Sequence, residues 1–270
     1  MWRCGNVRVY VGSGFRTSNI PTSLDPNIPN DQMTKSPIVH SEWIDLSVGD
    51  GTTMRAWVAR PEAQPARRGV LVFQEAFGVN AHIREVTERF AAAGFAAISP
   101  ELFHRTAPGF DGRYDDFPAA MAHLKLIKVE GLDADVHAAF GWLEQAGVAG
   151  NAAAVGYCFG GRVSFVANSA VPLKAAVSYY GGHIPPLLDR AARLSGPMLF
   201  FWGGLDHHIP VEQRQAVVAG VSDAGKTFVD VLFSNADHGF FCSARPSFHA
   251  QAAAQAWSLT LSFLDTYCPP

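Results

Sequence analysis

Three residues far apart in the chain have the types needed to cleave an acyl bond together: Cys158, Asp206 and His238. A thiolate is a strong nucleophile, but a free thiol titrates near about 8.5, so a base must take its proton and later hand it to the leaving group. An imidazole does both, and a carboxylate behind it fixes the tautomer and stabilises the imidazolium. Cys158 sits in Val155-Gly156-Tyr157-Cys158-Phe159-Gly160-Gly161-Arg162, where a short apolar run gives way to a glycine-flanked thiol and then to a helical pattern. That is the layout of a nucleophile elbow, with cysteine where serine is usual; the glycines remove β-carbons that would clash in so tight a turn. Each residue also has a plainer reading. Cys158 could be a buried core thiol, Asp206 a turn residue after Gly203-Gly204, and His238 a loop histidine with His207 and His208 as rivals. Those two, next to Asp206 in sequence, would struggle to face both it and Cys158.

Such residues act together only if the chain carries them to one edge of a sheet. Strand-like runs flank Gly49-Asp50-Gly51, a hairpin signal with segments near 43–46 and 54–58. Residues 69–73 form a continuous apolar run, as expected of a strand buried on both faces. Strands at 95–99, 152–155, 175–179, 198–202 and 228–233 then alternate with helical patterns at 82–93, 117–128, 133–145, 159–169, 212–221 and 247–265. The alternation predicts an α/β fold: a mostly parallel, doubly wound sheet with an N-terminal antiparallel edge hairpin. In such sheets functional residues follow the carboxyl ends of strands. Glu75 follows the first buried strand, Glu101 to Arg105 the next, Cys158 the elbow strand, then Tyr179-Tyr180, Asp206 and His238. Nucleophile, acid and histidine thus fall in α/β-hydrolase order. Backbone N–H groups of Phe159 and Ala76 are the expected oxyanion donors, one after the nucleophile and one in the first strand-end loop.

Of the 270 residues 48% are hydrophobic and 17% charged, which points to a globular chain with a full core. The net charge of -3 leaves no basic footprint for nucleic acid or anionic lipid, so the expected partner is a small molecule. Cys4, Cys158, Cys242 and Cys268 lack disulfide-framework or C-x-x-C spacing, and a reducing, cytoplasmic setting is expected. No run approaches the roughly 18 apolar residues of a membrane helix. Residues 1–37 are rich in Ser, Thr, Asn and Pro and have no acidic residue before Asp25. They share the bias of a transit peptide but lack its amphipathic face, so a disordered extension is expected, with Met33 as an alternative start. One domain spans 38–270, as a monomer or small homo-oligomer.

Five segments in order, Gln74-Glu75-Ala76-Phe77-Gly78-Val79-Asn80, Arg105-Thr106-Ala107-Pro108-Gly109, Gly156-Tyr157-Cys158-Phe159-Gly160-Gly161, Tyr179-Tyr180-Gly181 and Gly203-Gly204-Leu205-Asp206, resemble the dienelactone hydrolase (carboxymethylenebutenolidase) family. The resemblance runs from about Val39 to the C-terminus. It implies a Cys-His-Asp hydrolase, free of metal and organic cofactors, that opens a carboxylated unsaturated lactone in the breakdown of chlorinated aromatics. It makes Cys158 the nucleophile, with Asp206 and His238 completing the triad. Glu75 is then a carboxylate touching the thiol and gating its ionisation, Arg105 the grip on the substrate carboxylate, and Tyr179 a pocket wall.

The residues bear on these roles to differing degrees. A guanidinium fork suits a carboxylate, so Arg105 is a reasonable anion anchor, its alternative being a solvated surface arginine. A carboxylate beside a thiol opposes thiolate formation, so Glu75 is useful there only as a gate; otherwise it is a loop residue pairing with Arg84 or Arg105. One feature departs from the family, in which a second arginine follows the catalytic histidine by four residues. That position is Cys242 here, and Arg245 comes three residues later. A general carboxylesterase for neutral esters is therefore an alternative, and a non-catalytic ligand-binding or thiol-redox protein a third.

Overall fold

The computed structural model describes residues 38–270 together with two strands nearer the N-terminus, Arg3–Cys4 (β1) and Val7–Val11 (β2). Strands β3 (Val39–Ser47) and β4 (Thr53–Pro61) form the expected antiparallel hairpin, with Trp43 opposite Trp57. Its turn is set by Gly51 at φ +85° and by the Asp50 carboxylate, which accepts from the Thr52 backbone N–H at 3.1 Å and from Thr52 Oγ1 at 2.6 Å. From there strands and helices alternate: β5 (Arg68–Phe73), α1 (Ala81–Ala92), β6 (Phe95–Pro100), α2 (Phe117–Leu124), α3 (Val129–Gln145), β7 (Ala152–Tyr157) and α4 (Phe159–Ala170). The second half adds β8 (Ala175–Tyr179), β9 (Met198–Gly203), α5 (Val211–Asp223), β10 (Phe228–Phe233) and α6 (Ala250–Tyr267).

These strands make one ten-stranded sheet in the order β1-β2-β10-β9-β8-β7-β5-β6-β4-β3. Strands β5 to β10 run parallel, and the outer pairs on both sides are antiparallel. Every residue of β5, β6, β7 and β8 is buried, as an apolar run covered by helices on both faces requires. On one face α1 meets α6, where Phe90 and Trp257 pack with ring centroids 4.8 Å apart. Helices α3 and α4 pack on each other and against β5 to β8. Strands β5 and β7 are adjacent although β6 lies between them in sequence, so the loops at their carboxyl ends share one crevice.

Two expectations about elements change. The helix expected over 117–128 stops at Leu124, and the next begins at Val129, ahead of 133. The buried stripe of α3 (Leu132, Val136, Ala139, Phe140, Leu143) starts before Asp133, so packing extends the helix toward its N-terminus. Within 1–37, read as a disordered extension, β2 instead pairs antiparallel with β10, Val9 opposite Val231. Its alternating valines carried the strand signal, which the Ser/Thr/Asn/Pro content of the stretch obscured. Residues 12–37, Met33 among them, lie outside the described residues.

Candidate active site

The elbow forms where β7 ends and α4 begins. Cys158 takes φ 54°, ψ -115°, a strained conformation for a residue with a β-carbon, and its backbone is held by Cys158 N–H to Tyr179 O (3.0 Å) and Gly161 N–H to Cys158 O (2.9 Å). The glycines are required by contact rather than by the turn alone. A β-carbon at Gly156 would lie 1.8 Å from the Gly160 carbonyl oxygen, and one at Gly160 would lie 2.2 Å from that of Phe73. The first turn of α4 therefore sits directly on the ends of β7 and β5, which brings the thiol up to the β5 loop.

His238 joins the thiol to the carboxylate. Its Nε2 is 3.0 Å from Cys158 Sγ, and its Nδ1 donates to Asp206 Oδ2 at 2.8 Å. Asp206 is itself fixed, since Oδ1 accepts from the backbone N–H groups of His208 (2.8 Å) and Ile209 (3.2 Å). The neighbouring histidine thus serves the acid through its main chain, while its ring packs edge-on against His238 at 5.2 Å. Burial works against a charged His238, but the fields and hydrogen bonds of Cys158 and Asp206 win and raise its pKa to about 10. Burial also opposes ionisation of Asp206, yet the bond from His238 pulls its pKa below the usual carboxylate value. The geometry accordingly lets His238 exchange a proton with Cys158 while Asp206 stabilises its charged form.

Glu75 is fully buried on the β5 loop, and its partner is neither Arg84 nor Arg105. Oε1 accepts from Arg245 Nη1 at 3.2 Å, while Oε2 has no partner among the described residues. Cys158 Sγ is bonded to His238, not to Glu75. Arg245 reaches the site by folding back over Gly239, which has φ +77°; a β-carbon there would lie 2.4 Å from Arg245 Nη1. Burial disfavours its charge, but Glu75 and then Cys158 raise its pKa above the ordinary arginine value. Arg245 also lies over the rings of Phe77 (5.7 Å) and Tyr114 (5.8 Å), which line its approach. Cys242 is buried nearby, its thiol pushed up to about 11 chiefly by desolvation.

Two other expected site residues are engaged elsewhere. Arg105 makes a two-pronged contact with Asp135 (3.0 and 2.8 Å) and donates from Nε to Asp50 at 2.7 Å, so its guanidinium is used within the fold. Asp135 also meets His104 Nε2 at 3.0 Å, completing a buried network between α3 and the β6 loop. Tyr179 is turned to α6, where its hydroxyl bonds Thr260 Oγ1 at 2.6 Å; the tyrosine beside His238 is Tyr180, with ring centroids 5.0 Å apart. Phe159 is the first residue of α4, so its N–H has no acceptor within the helix, and Ala76 is buried on the β5 loop. A surface groove of about 450 Å³ between Arg60, Pro65, Trp142 and Val148 touches none of these residues.

Sheet order, elbow and chain order of the three residues define an α/β-hydrolase. Within that class the sequence matches the dienelactone hydrolase family over residues 54–268, and the chain belongs to that family. It is accordingly a hydrolase acting on carboxylic esters or lactones. The carboxymethylenebutenolidases of Pseudomonas putida and Pseudomonas knackmussii are each 32% identical to it over 228 residues, covering 83% of this chain and 96% of theirs. The solved structure of a dienelactone hydrolase-like promiscuous phosphotriesterase from metagenomic libraries superimposes with a TM-score of 0.73 at 25% identity, covering 84% of this chain and 98% of that one.

Proposed function

We propose that the protein opens a carboxylated unsaturated lactone, or cleaves a carboxylated ester, through a thioester on Cys158. The observation that carries this reading is the line from Cys158 Sγ through His238 to Asp206, at 3.0 and 2.8 Å, on a strained elbow. His238 Nε2 takes the Cys158 proton, and the thiolate attacks the carbonyl carbon. The oxyanion is met by the N–H groups of Phe159 and Ala76. The carbon–oxygen bond breaks, the departing oxygen takes the proton from His238, and the acyl group remains on sulfur. Water, deprotonated by the same imidazole, then releases the acid.

The pairing of Arg245 with Glu75, and the use of Arg105 within the fold, support Arg245 as the receiver of the substrate carboxylate and a carboxylated substrate over a neutral ester. A substrate carboxylate at Arg245 competes with Glu75, and Glu75 so released is the group that acts on the thiol, the gating role implied by the family resemblance. The free thiols of Cys158, Cys242 and Cys268 support a reducing, cytoplasmic setting. No helix among the described residues is long and apolar enough to cross a membrane.

The test is hydrolysis of a dienelactone and of a neutral p-nitrophenyl ester by the wild type and by Cys158→Ala, with intact-mass detection of an acyl adduct on Cys158. Loss of turnover on both substrates and an adduct confined to Cys158 are expected. Full activity in Cys158→Ala rejects the mechanism.

A further inference from the structure

Beside the candidate thiol lies a set of donors of which the hydrolytic scheme uses only Glu75. A Glu75 carboxylate oxygen, a ring nitrogen of His82 and Cys242 Sγ lie within 4.8 Å of one another, the group of this kind found among the described residues. All three side chains are buried, with Glu75 and Cys242 at 0% and His82 at 7% exposure. Two polar atoms of this set, Glu75 Oε2 and His82 Nε2, have no hydrogen-bond partner among the described residues. Buried polar atoms are rarely left so, and each such atom calls for a ligand or a role. The donors come from three separate elements: the β5 loop, the first turn of α1 and the loop after β10. Asn80 fixes the start of α1 by accepting from the Ile83 N–H at 3.2 Å, and its amide donates to the Tyr114 hydroxyl at 3.0 Å. The cluster is therefore held in place by the fold rather than assembled from mobile surface side chains.

We infer that Glu75, His82 and Cys242 form a binding site for a thiophilic divalent cation of the zinc class, separate from the line of Cys158, His238 and Asp206. One sulfur, one imidazole and one carboxylate suit zinc and its neighbours, whereas calcium and magnesium require shells of oxygen. Ligand bonds of about 2.0–2.3 Å around a tetrahedral ion set neighbouring donors roughly 3.3–3.8 Å apart, so the cluster closes by a modest side-chain adjustment. Burial keeps His82 neutral, the form that ligates, by lowering its pKa. On binding, the Cys242 S–H bond breaks, a sulfur–metal bond forms, and the proton leaves to solvent. Glu75 then bridges, with Oε1 on Arg245 and the other oxygen on the cation. Two negative donors, the Cys242 thiolate and Glu75, balance the charge of the ion, so the neighbouring Arg245 does not exclude it.

The pair Cys158 and His238 also offers sulfur and nitrogen, so the test uses the full-length Cys158→Ala protein. It is titrated with Co²⁺ and then Zn²⁺ by absorbance and calorimetry. The expected result is one equivalent of Co²⁺ per chain with a sulfur-to-cobalt charge-transfer band, displaced by Zn²⁺ and unaffected by excess Mg²⁺ or Ca²⁺. Adding Cys242→Ser should abolish the band, and adding His82→Gln should weaken binding at least about tenfold, as loss of a ligand does. Thermal melts show whether these variants are folded. Independently of them, Zn²⁺ should raise the melting temperature of the Cys158→Ala protein, and adding Cys242→Ser should remove that rise. Absence of the band together with an unchanged melting temperature, or a band that survives Cys242→Ser, overturns the proposal.

Discussion

Replacing Arg245 by glutamine separates stability from recognition at one position. The guanidinium faces Glu75, a carboxylate with 0% side-chain exposure, and is itself only 17% exposed. Removing one partner of a buried pair strands the other charge, which costs about 3–5 kcal/mol unless Glu75 takes up a proton. The double variant E75Q/R245Q has no stranded charge and should recover most of that loss. Recognition should behave differently. A hydrogen bond to a charged group contributes about 1.5–3 kcal/mol, which at about 1.4 kcal/mol per decade is roughly 10- to 150-fold in kcat/KM. That loss should appear in R245Q for a carboxylated lactone and be absent for its methyl ester. The assay is urea denaturation beside kcat/KM on the two substrates. Equal losses on both substrates, or a double variant no more stable than R245Q, would refute the reasoning.

Other consequences can be tested separately. Arg105→Ala should cost about 3–5 kcal/mol of stability, because Asp135 is fully buried, while leaving KM for carboxylated substrates unchanged; a selective rise in KM at unchanged stability would restore Arg105 as the anion anchor. Asp206→Asn removes one of the interactions that hold the pKa of His238 up at about 10. The imidazolium that protonates the leaving group is lost as pH rises through that value, so the alkaline limb of kcat/KM should move to lower pH, with kcat down by as much as about 10⁴-fold; an unmoved limb argues against the relay. Gly160→Ala places a β-carbon 2.2 Å from the Phe73 carbonyl oxygen and should cost about 3 kcal/mol or more in thermal or chemical denaturation. Tyr179→Phe should lose about 1 kcal/mol, through the bond to Thr260, with kcat/KM within about twofold of wild type; a large kinetic effect would place Tyr179 in the pocket after all.

The parts legible in the sequence were those set by short-range pattern. Apolar runs of strand length gave β5 to β10, because a strand covered on both faces has no polar side to interrupt it. The Gly49-Asp50-Gly51 turn gave the hairpin, and the glycines around Cys158 gave the elbow, although their contact with β5 could not be read from a local pattern. The meeting of Cys158, Asp206 and His238 could be anticipated because strand ends in this topology face one crevice, so chain order stood in for geometry. What stayed hidden was side-chain direction at the edges of that crevice. Tyr179 and Tyr180 are adjacent and both fully buried, yet one points to α6 and the other to His238. Arg105 follows a strand end, as an anchor would, but Asp135, thirty positions on, takes its guanidinium.

On the proposed reading, Arg245 keeps the anion site in space while the residue moves in sequence. A fixed offset of four residues after His238 arrives at Cys242, and on that count the second arginine is missing. The loop does not run straight, however. Successive turns link Cys242 N–H to Gly239 O (3.0 Å) and Arg245 N–H to Cys242 O (3.1 Å), folding the segment back on itself. Gly239 then lets the guanidinium lie where any β-carbon would exclude it. The residue that completes the carboxylate pair is thus specified by a left-handed glycine and two turns, and Cys242, freed from that duty, faces Glu75 and His82 instead. The same backbone path brings both Arg245 and the Cys242 thiol to Glu75, so Gly239→Ala should break the Arg245–Glu75 contact through the clash, read as a loss of stability in urea denaturation.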